Sequence, residues 1–344
     1  MDKLRIAIVG FRHGHIYDLL KRVQQHPDIE LIACCEEDLA TRQALAAAGE
    51  VRITHADYLQ MLDEVELDAI GIGDYFGKRG ALAIAALERG KHIIADKPLA
   101  TRIAEVERII ELSAHNRLCV GCMLDLRDNG TFRHLREVVR SGQLGEVKAI
   151  SFNGQHPLNA ASRPAWYFEN GKHGGTINDI GIHAFDVLPW ITSLDWEHVG
   201  CARVWAAHPQ VPDFAGAGQV LLTMSNGCGV IGDVSYLTPD SFAYRNPQYW
   251  RITIWGESGI AETSINTPEI SLALAGENQL RSLPPAEANP GGYLEAFLHD
   301  IAGSSQPGEL DTAQVLAAAL VGVRVQYAAD AGLPGYSLQS SLLR

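Results

Sequence analysis

Leu4-Arg-Ile-Ala-Ile-Val-Gly-Phe-Arg-His-Gly-His15 is the stretch that decides the fold. Leu4 to Val9 is an apolar run of strand length with no helical period, and it stops at Gly10. Directly beyond the turn, Ile16, Leu19, Leu20 and Val23 fall on one side of a helix. A strand that turns through glycine into a helix is the first half of a βαβ unit. The alternation continues downstream, with strands expected over 29–35, 51–53, 69–72, 91–95 and 118–121, and helices over 39–48, 58–62, 80–89 and 103–114. Strands alternating with helical stretches predict a Rossmann-type, doubly wound parallel sheet over residues 1–122.

In such a sheet the first strand-to-helix turn cradles a dinucleotide. The second glycine of G-x-G-x-x-G lets the backbone approach the pyrophosphate and the third lets helix and strand pack closely. Here those positions are Arg12 and His15, with an additional glycine at Gly14. Gly10, Arg12, His13 and Gly14 are therefore the cofactor-facing candidates, although an ordinary strand-to-helix turn has the same appearance. Glu36, 26 residues after Gly10 at the end of the second strand, stands where a carboxylate accepts hydrogen bonds from the adenosine ribose. It selects NAD over NADP, since a 2′-phosphate meets a carboxylate there; Arg12 is the residue that can reach such a phosphate.

Two further stretches carry chemistry. The strand over 91–95 ends in Asp96-Lys97-Pro98, and ligands of these sheets bind beyond the carboxyl ends of the strands, which aims Lys97 at the crevice; a solvated lysine is the plain alternative. Gly174-Gly-Thr-Ile-Asn-Asp-Ile-Gly-Ile-His183 reads as a helix start, with Thr176 able to cap it and Asp179 and His183 at i and i+4 on one face, Asp186 sharing part of it. A carboxylate there orients an imidazole, or both meet one substrate. No metal is expected: adding His173 or His156 makes a poor ligand set. His156, Arg163, Trp166 and Tyr167 lie in or beside the long loop before this segment and suit a hydroxylated ring, with packing as the alternative for the aromatics.

Gly90-Lys-His-Ile-Ile-Ala-Asp-Lys-Pro-Leu-Ala100, followed about 80 residues later by Gly174-Gly-Thr-x-x-Asp-x-Gly-x-His183, resembles the glucose-fructose oxidoreductase/inositol dehydrogenase (Gfo/Idh/MocA) family over nearly the whole chain. The resemblance implies that Lys97 matches the lysine of a Glu-Lys-Pro motif that contacts substrate and nicotinamide, with Asp96 in place of the glutamate. It makes Asp179 and His183 the Asp-x-x-x-His pair, the histidine accepting the hydroxyl proton. Asp74-Tyr-Phe-Gly-Lys-Arg79 stands where the family carries Thr-Pro-x-x-x-His, which puts Asp74 beside the nicotinamide and departs from the pattern. The family also implies an open, mostly antiparallel sheet whose exposed face often makes oligomer contacts, hence a homo-oligomer, dimer or tetramer.

The rest of the chain fits an α+β substrate and oligomerisation domain over 123–344. At 344 residues one core is too few. A helix is expected over 127–141, strands over 147–153, 199–206, 218–224, 229–236, 250–255 and 259–263, a hairpin at Asn226-Gly227, a loop over 283–290, and a helix over 312–329 packing back across the domains. Short intervals between strands suit antiparallel pairing. A net charge of −13 gives no basic field to attract nucleic acid or anionic membrane, so the expected partner is a small molecule, a sugar or polyol. Met1-Asp2-Lys3-Leu4 leads straight into a strand without a secretory apolar region, and no run of about 18 apolar residues occurs, so a cytoplasmic location is expected. Six scattered cysteines read as buried thiols, Cys119-Val-Gly-Cys122 among them. The expected activity is NAD-dependent oxidation of a secondary hydroxyl. The alternatives are an NAD-requiring glycosidase or lyase that oxidises transiently, and a nucleotide-sensing binding protein on the same fold.

Overall fold

A computed structural model describes residues 3–340 and 342; Met1 and Asp2, read above as leading into the first strand, lie outside them. The first domain runs β1 (Leu4–Val9), α1 (Ile16–Gln25), β2 (Ile29–Cys35), α2 (Leu39–Ala48), α3 (Tyr58–Glu64), β3 (Ala69–Ile72), α4 (Phe76–Glu88), β4 (His92–Ala95), α5 (Ile103–Asn116) and β5 (Val120–Cys122). Its strands pair in parallel in the order β2-β1-β3-β4-β5. Ile6, Ala7 and Ile8 are all fully buried, because helices cover both faces of the sheet and a strand between them needs apolar residues on both sides. Residues 51–53 form no strand. The chain there touches β2 through one bridge, Cys35 to His55, before Asp57 caps α3. Helix α4 starts earlier than expected, at Phe76, whose ring is fully buried.

The second half opens with a 3-10 turn (Asp125–Asp128) and α6 (Gly130–Arg140), so the single helix expected over 127–141 is divided; the Asn129 side chain accepts from Thr131 N–H and caps α6. Then follow β6 (Val147–Pro157), a π-helical turn (Ile177–Gly181), α7 (Ile182–Thr192), β7 (Trp196–Trp205), β8 (Ala217–Met224), β9 (Gly229–Thr238), β10 (Tyr249–Gly256), β11 (Gly259–Thr263), β12 (Ile270–Leu274), β13 (Arg281–Leu283), α8 (Gly292–Ile301), α9 (Thr312–Ala331) and β14 (Tyr336–Ser337). Strands β12, β13 and β14 and helix α8 were not anticipated. The nine-stranded sheet has the order β13-β12-β11-β10-β6-β9-β8-β7-β14 and is antiparallel except for the β6–β9 pair.

The two halves are knitted together rather than strung on a linker. Phe297 of α8 and Val315, Leu316 and Ala319 of α9 belong to the same buried cluster as β1, β4 and β5, whereas Val321 and Val325 further along α9 join the second core. One long helix thus spans both cores, as its apolar composition suggested. Among the described residues no helix is long and apolar enough to cross a membrane.

Candidate active site

The dinucleotide turn is built on Gly10. Its φ is +79°, and a Cβ there would stand 2.5 Å from the Asp74 Cβ, so only glycine fits. The neighbouring acids face differently from expectation. Glu36 is fully buried and accepts hydrogen bonds from Phe11 N–H at 2.6 Å and Asp38 N–H at 2.8 Å. Its carboxylate holds the turn in shape from beneath instead of presenting itself to a ribose. Asp74, also fully buried and at φ +74°, takes a bidentate bond from the Arg12 guanidinium (2.6 and 2.9 Å) and a contact from Lys78 at 3.1 Å. Arg12 lies over the Tyr75 ring, its charge matched by Asp74.

The two departures from the family pattern meet each other. Arg79 on α4 bonds Asp96 through Nη2 at 2.6 Å, and both side chains are fully buried. Its remaining N–H groups reach the backbone carbonyls of Gly73, Asp74, Lys97 and Pro98, so it ties the end of β4 to the end of β3. Asp96 also accepts from His13 Nδ1 (2.5 Å) and faces His15 Nδ1 (3.2 Å). Burial pushes the His13 imidazole down to about 4, so it is neutral near pH 7. Among the described residues, His13, His15 and Asp96 are a set whose ligand-type atoms all lie within 4.8 Å of one another. The Arg79 guanidinium already provides the positive charge there, so we read the set as an ion-pair network.

Beside this network lies a cavity of about 520 Å³ between the domains. Lys97 and Asp179 border it as a buried pair: Nζ donates to Asp179 Oδ1 at 2.9 Å and to the Asp179 carbonyl at 3.1 Å. Asp179 Oδ2 accepts from Tyr167 Oη at 3.0 Å and from Tyr236 Oη, with His173 Nε2 3.5 Å away. Burial alone raises a carboxyl, but Lys97 with the His173 and Tyr236 donors outweighs it and holds Asp179 well below the usual range.

The expectation that Asp179 orients His183 is corrected. Asp179 sits in the π turn, and its carboxylate is taken up by Lys97, Tyr167 and Tyr236 rather than by the His183 imidazole. His183 stands in the first turn of α7 against the Trp250 ring, with centroids 5.2 Å apart, and its Nδ1 is buried without a hydrogen-bond partner. Burial, then the Lys97 charge, lowers its pKa well below the ordinary value. Thr176 does not cap the segment, since its hydroxyl donates to the Ala215 carbonyl. Gln326 Oε1 from α9 accepts from Ile177 and Asn178 N–H instead, and Gly175, at φ +95°, leaves room for that amide. Asp186 points away from the cavity into a buried pair with Arg127.

His156, near the end of β6, and Arg163 and Tyr167 of the loop beyond it line the cavity. Burial pushes His156 down to about 3, and the Arg163 guanidinium lies 4.5 Å from the Tyr167 ring centre. Trp166 does not line it. Its indole N–H donates to the Arg12 carbonyl at 3.2 Å and its ring packs on His13 and Phe76, so it is a clamp between domains. Residues not anticipated at the cavity include Tyr236, Tyr244, Tyr249, Trp250 and Asp125. Asp125, three residues beyond β5, was open to the strand-end argument; the others come from strands or loops distant in sequence, with no local signal.

Residues 4–123 match the family model described as oxidoreductase family, NAD-binding Rossmann fold, and residues 132–262 the model described as GFO/IDH/MocA C-terminal domain. The chain belongs to the Gfo/Idh/MocA family. Within this family it is 25% identical to an uncharacterized oxidoreductase of Synechocystis over 55% of this chain and 51% of that protein. It is 26% identical to an inositol 2-dehydrogenase of Salmonella paratyphi B over 57% of this chain and 56% of that one. The chain thus matches about half the length of these curated relatives. A solved structure from Thermotoga maritima superposes with a TM-score of 0.83 at 22% identity, covering 97% of this chain and all of that one, which is a likeness of fold.

The NAD that this family's first domain binds is compatible with the residues present. A Cβ added at Gly14 would meet nothing within 4 Å, so the turn is open above that residue. Arg12, His13, Gly14 and His15 border a hollow of about 190 Å³ that shares His13, His15 and Arg163 with the main cavity. Residues 12–15 would hold the cofactor's diphosphate, with backbone N–H groups at the start of α1 as donors.

Proposed function

We propose that this chain is an NAD-dependent oxidoreductase that oxidises a secondary hydroxyl of a sugar, cyclitol or related polyol, or reduces the corresponding ketone. The observation that carries the reading is the convergence of the Lys97 ammonium and the buried, unpartnered His183 imidazole on one cavity with aromatic walls. The likeness to inositol 2-dehydrogenase supports it. When bound, NAD supplies the hydride acceptor. Lys97 Nζ donates to the reacting oxygen and stabilises the charge that develops as the hydroxyl proton leaves. His183, neutral because it is buried beside Lys97, accepts that proton at Nε2. Asp179 holds Lys97 in place, and Tyr167 and Tyr236 hold Asp179. Tyr244, Tyr249 and Trp250 offer ring faces to the carbon skeleton, and Arg163 a donor to its hydroxyls.

In this reading residues 1–122 carry the cofactor and 123–344 the substrate. The outer face of the nine-stranded sheet exposes Leu221, Ile231, Leu237, Trp255 and Ile260, which supports a homo-oligomer formed through that face. Light scattering at micromolar concentration tests it; a monomer refutes it. The activity is tested by following NADH absorbance with a panel of sugars and cyclitols, with products identified by mass. Net reduction of NAD with a ketone product is the expected result. Product without net reduction points to elimination chemistry, and binding without turnover to a sensor; either overturns the proposal.

A further inference from the structure

We propose that Asp125 is the positioning residue for His183, holding its imidazole in the Nδ1–H tautomer so that Nε2 is the proton acceptor. The inference rests on the oxidoreductase reading above and adds a residue to it. Three observations converge. Asp179, the acid expected to orient His183, is already engaged by Lys97, Tyr167 and Tyr236. His183 is 94% buried, and its Nδ1 has no hydrogen-bond partner, which leaves a buried polar atom unpaired. The nearest carboxylate oxygen to that atom is Asp125 Oδ1, 3.8 Å away, and Asp125 faces the same cavity.

Asp125 is suited to the role by its place in the fold. It is the first residue of the 3-10 turn after β5, at the carboxyl end of the sheet, and this turn packs against α7, which carries His183. Its side chain is two-thirds exposed, but to the cavity, so ligand binding excludes water from the pair. At 3.8 Å the contact is longer than a hydrogen bond; a movement of less than 1 Å closes it, and catalytic hydrogen bonds commonly tighten only in the complex. Among the described residues the one ion-pair contact of Asp125 is His183, with the Lys97 charge acting on it from farther across the cavity. The other groups facing His183 are Lys97 beyond β4, His15 before α1, His156 on β6 and Asp179 in the π turn, with the Arg127–Asp186 pair behind α7. Of the carboxylates among these, Asp186 is paired with Arg127 and Asp179 with Lys97. Asp125 is therefore the acceptor available to a proton on Nδ1.

The test reads His183 directly. Nitrogen-15 spectra of the imidazoles at neutral pH, with His183 assigned from His183→Gln, report which ring nitrogen carries the proton, without any turnover. In the wild type the Nδ1–H form is expected. Asp125→Asn, whose amide donates to Nδ1, is expected to convert His183 to the Nε2–H form, the exchange of tautomer known to disable such pairs. Asp125→Glu, one methylene longer, is expected to keep Nδ1–H.

In turnover, Asp125→Asn should lower kcat about 10- to 100-fold with KM changed less, and Asp125→Glu should restore much of it. A carboxylate raises the pKa of a neighbouring imidazole, so the acid limb of the kcat profile should move to lower pH by about one unit in Asp125→Asn. An unchanged tautomer in Asp125→Asn, or an unchanged acid limb, overturns the proposal whatever happens to melting temperature. If the wild type oxidises no polyol and the tautomer still switches, the pair stands and the oxidoreductase reading alone fails.

Discussion

Lys97→Met removes one half of a buried ion pair and keeps most of its apolar stem. Lys97 and Asp179 are 6% and 2% exposed, and the lysine contributes two of the contacts that hold the Asp179 residue. Removing one partner of such a pair costs about 3–5 kcal/mol, because the other charge is left buried. Asp179 keeps two tyrosine donors, so the lower end, about 3 kcal/mol, is expected, or a melting temperature lower by about 4 °C for a chain of this length. The pH dependence gives the sharper test. In the wild type the Asp179 pKa is depressed, so its contribution is present above the unfolded carboxyl pKa and lost as pH falls through the folded one. Without Lys97, only the His173 and Tyr236 donors oppose burial, and the folded pKa is expected to rise above the unfolded value; the carboxyl would then favour the folded state at low pH and oppose it as pH rises. The stability gap between wild type and variant should therefore be widest at pH 7–8 and narrow by up to about 1.4 kcal/mol per pH unit on the way to pH 5. Urea melts between pH 5 and 8 measure this, and the double variant Lys97→Met/Asp179→Asn should recover most of the stability and lose the pH slope. Turnover should be absent from both while NAD binding persists. Parallel curves separated by less than 1 kcal/mol at every pH would falsify the coupled-pair argument.

His183→Ala should leave the fold intact and lower kcat by about 10²–10⁴-fold, read by steady-state kinetics beside melting curves; a folded variant with the wild-type rate removes His183 from the chemistry. Glu36→Ser should loosen the dinucleotide turn by leaving Phe11 N–H unpaired, costing about 1–3 kcal/mol and raising KM for NAD and NADP alike. A selective gain with NADP at unchanged stability would instead mean that Glu36 reads the ribose. Gly10→Ala forces a Cβ against Asp74 at positive φ and should destabilise by more than about 1 kcal/mol, with weakened NAD binding by fluorescence titration; an unperturbed protein contradicts the close approach.

Local chemistry made the first domain legible. The apolar runs from Leu4 to Ile72, the glycine turn at Gly10 and the helical spacing of Ile16 to Val23 are properties of neighbouring residues, and the parallel sheet follows from their alternation. So were Lys97 and His183 legible as cavity residues, one from its strand end and the other from a motif. What a side chain bonds was not, because its partners come from other parts of the chain. The i, i+4 spacing put Asp179 and His183 on one face, but Lys97, Tyr167 and Tyr236, which arrive from other parts of the chain, take the Asp179 carboxylate. Glu36 was expected to face the ribose and Asp74 the nicotinamide, yet packing turned both inward to Phe11 N–H and Arg12. Arg79 and Asp96 were read as two separate departures, and only the meeting of β3, α4 and β4 made them one ion pair. Sequence thus determined the elements and the kinds of chemistry present. The tertiary structure decided which acid serves which base, since burial leaves each charge to the nearest donor in space rather than in sequence.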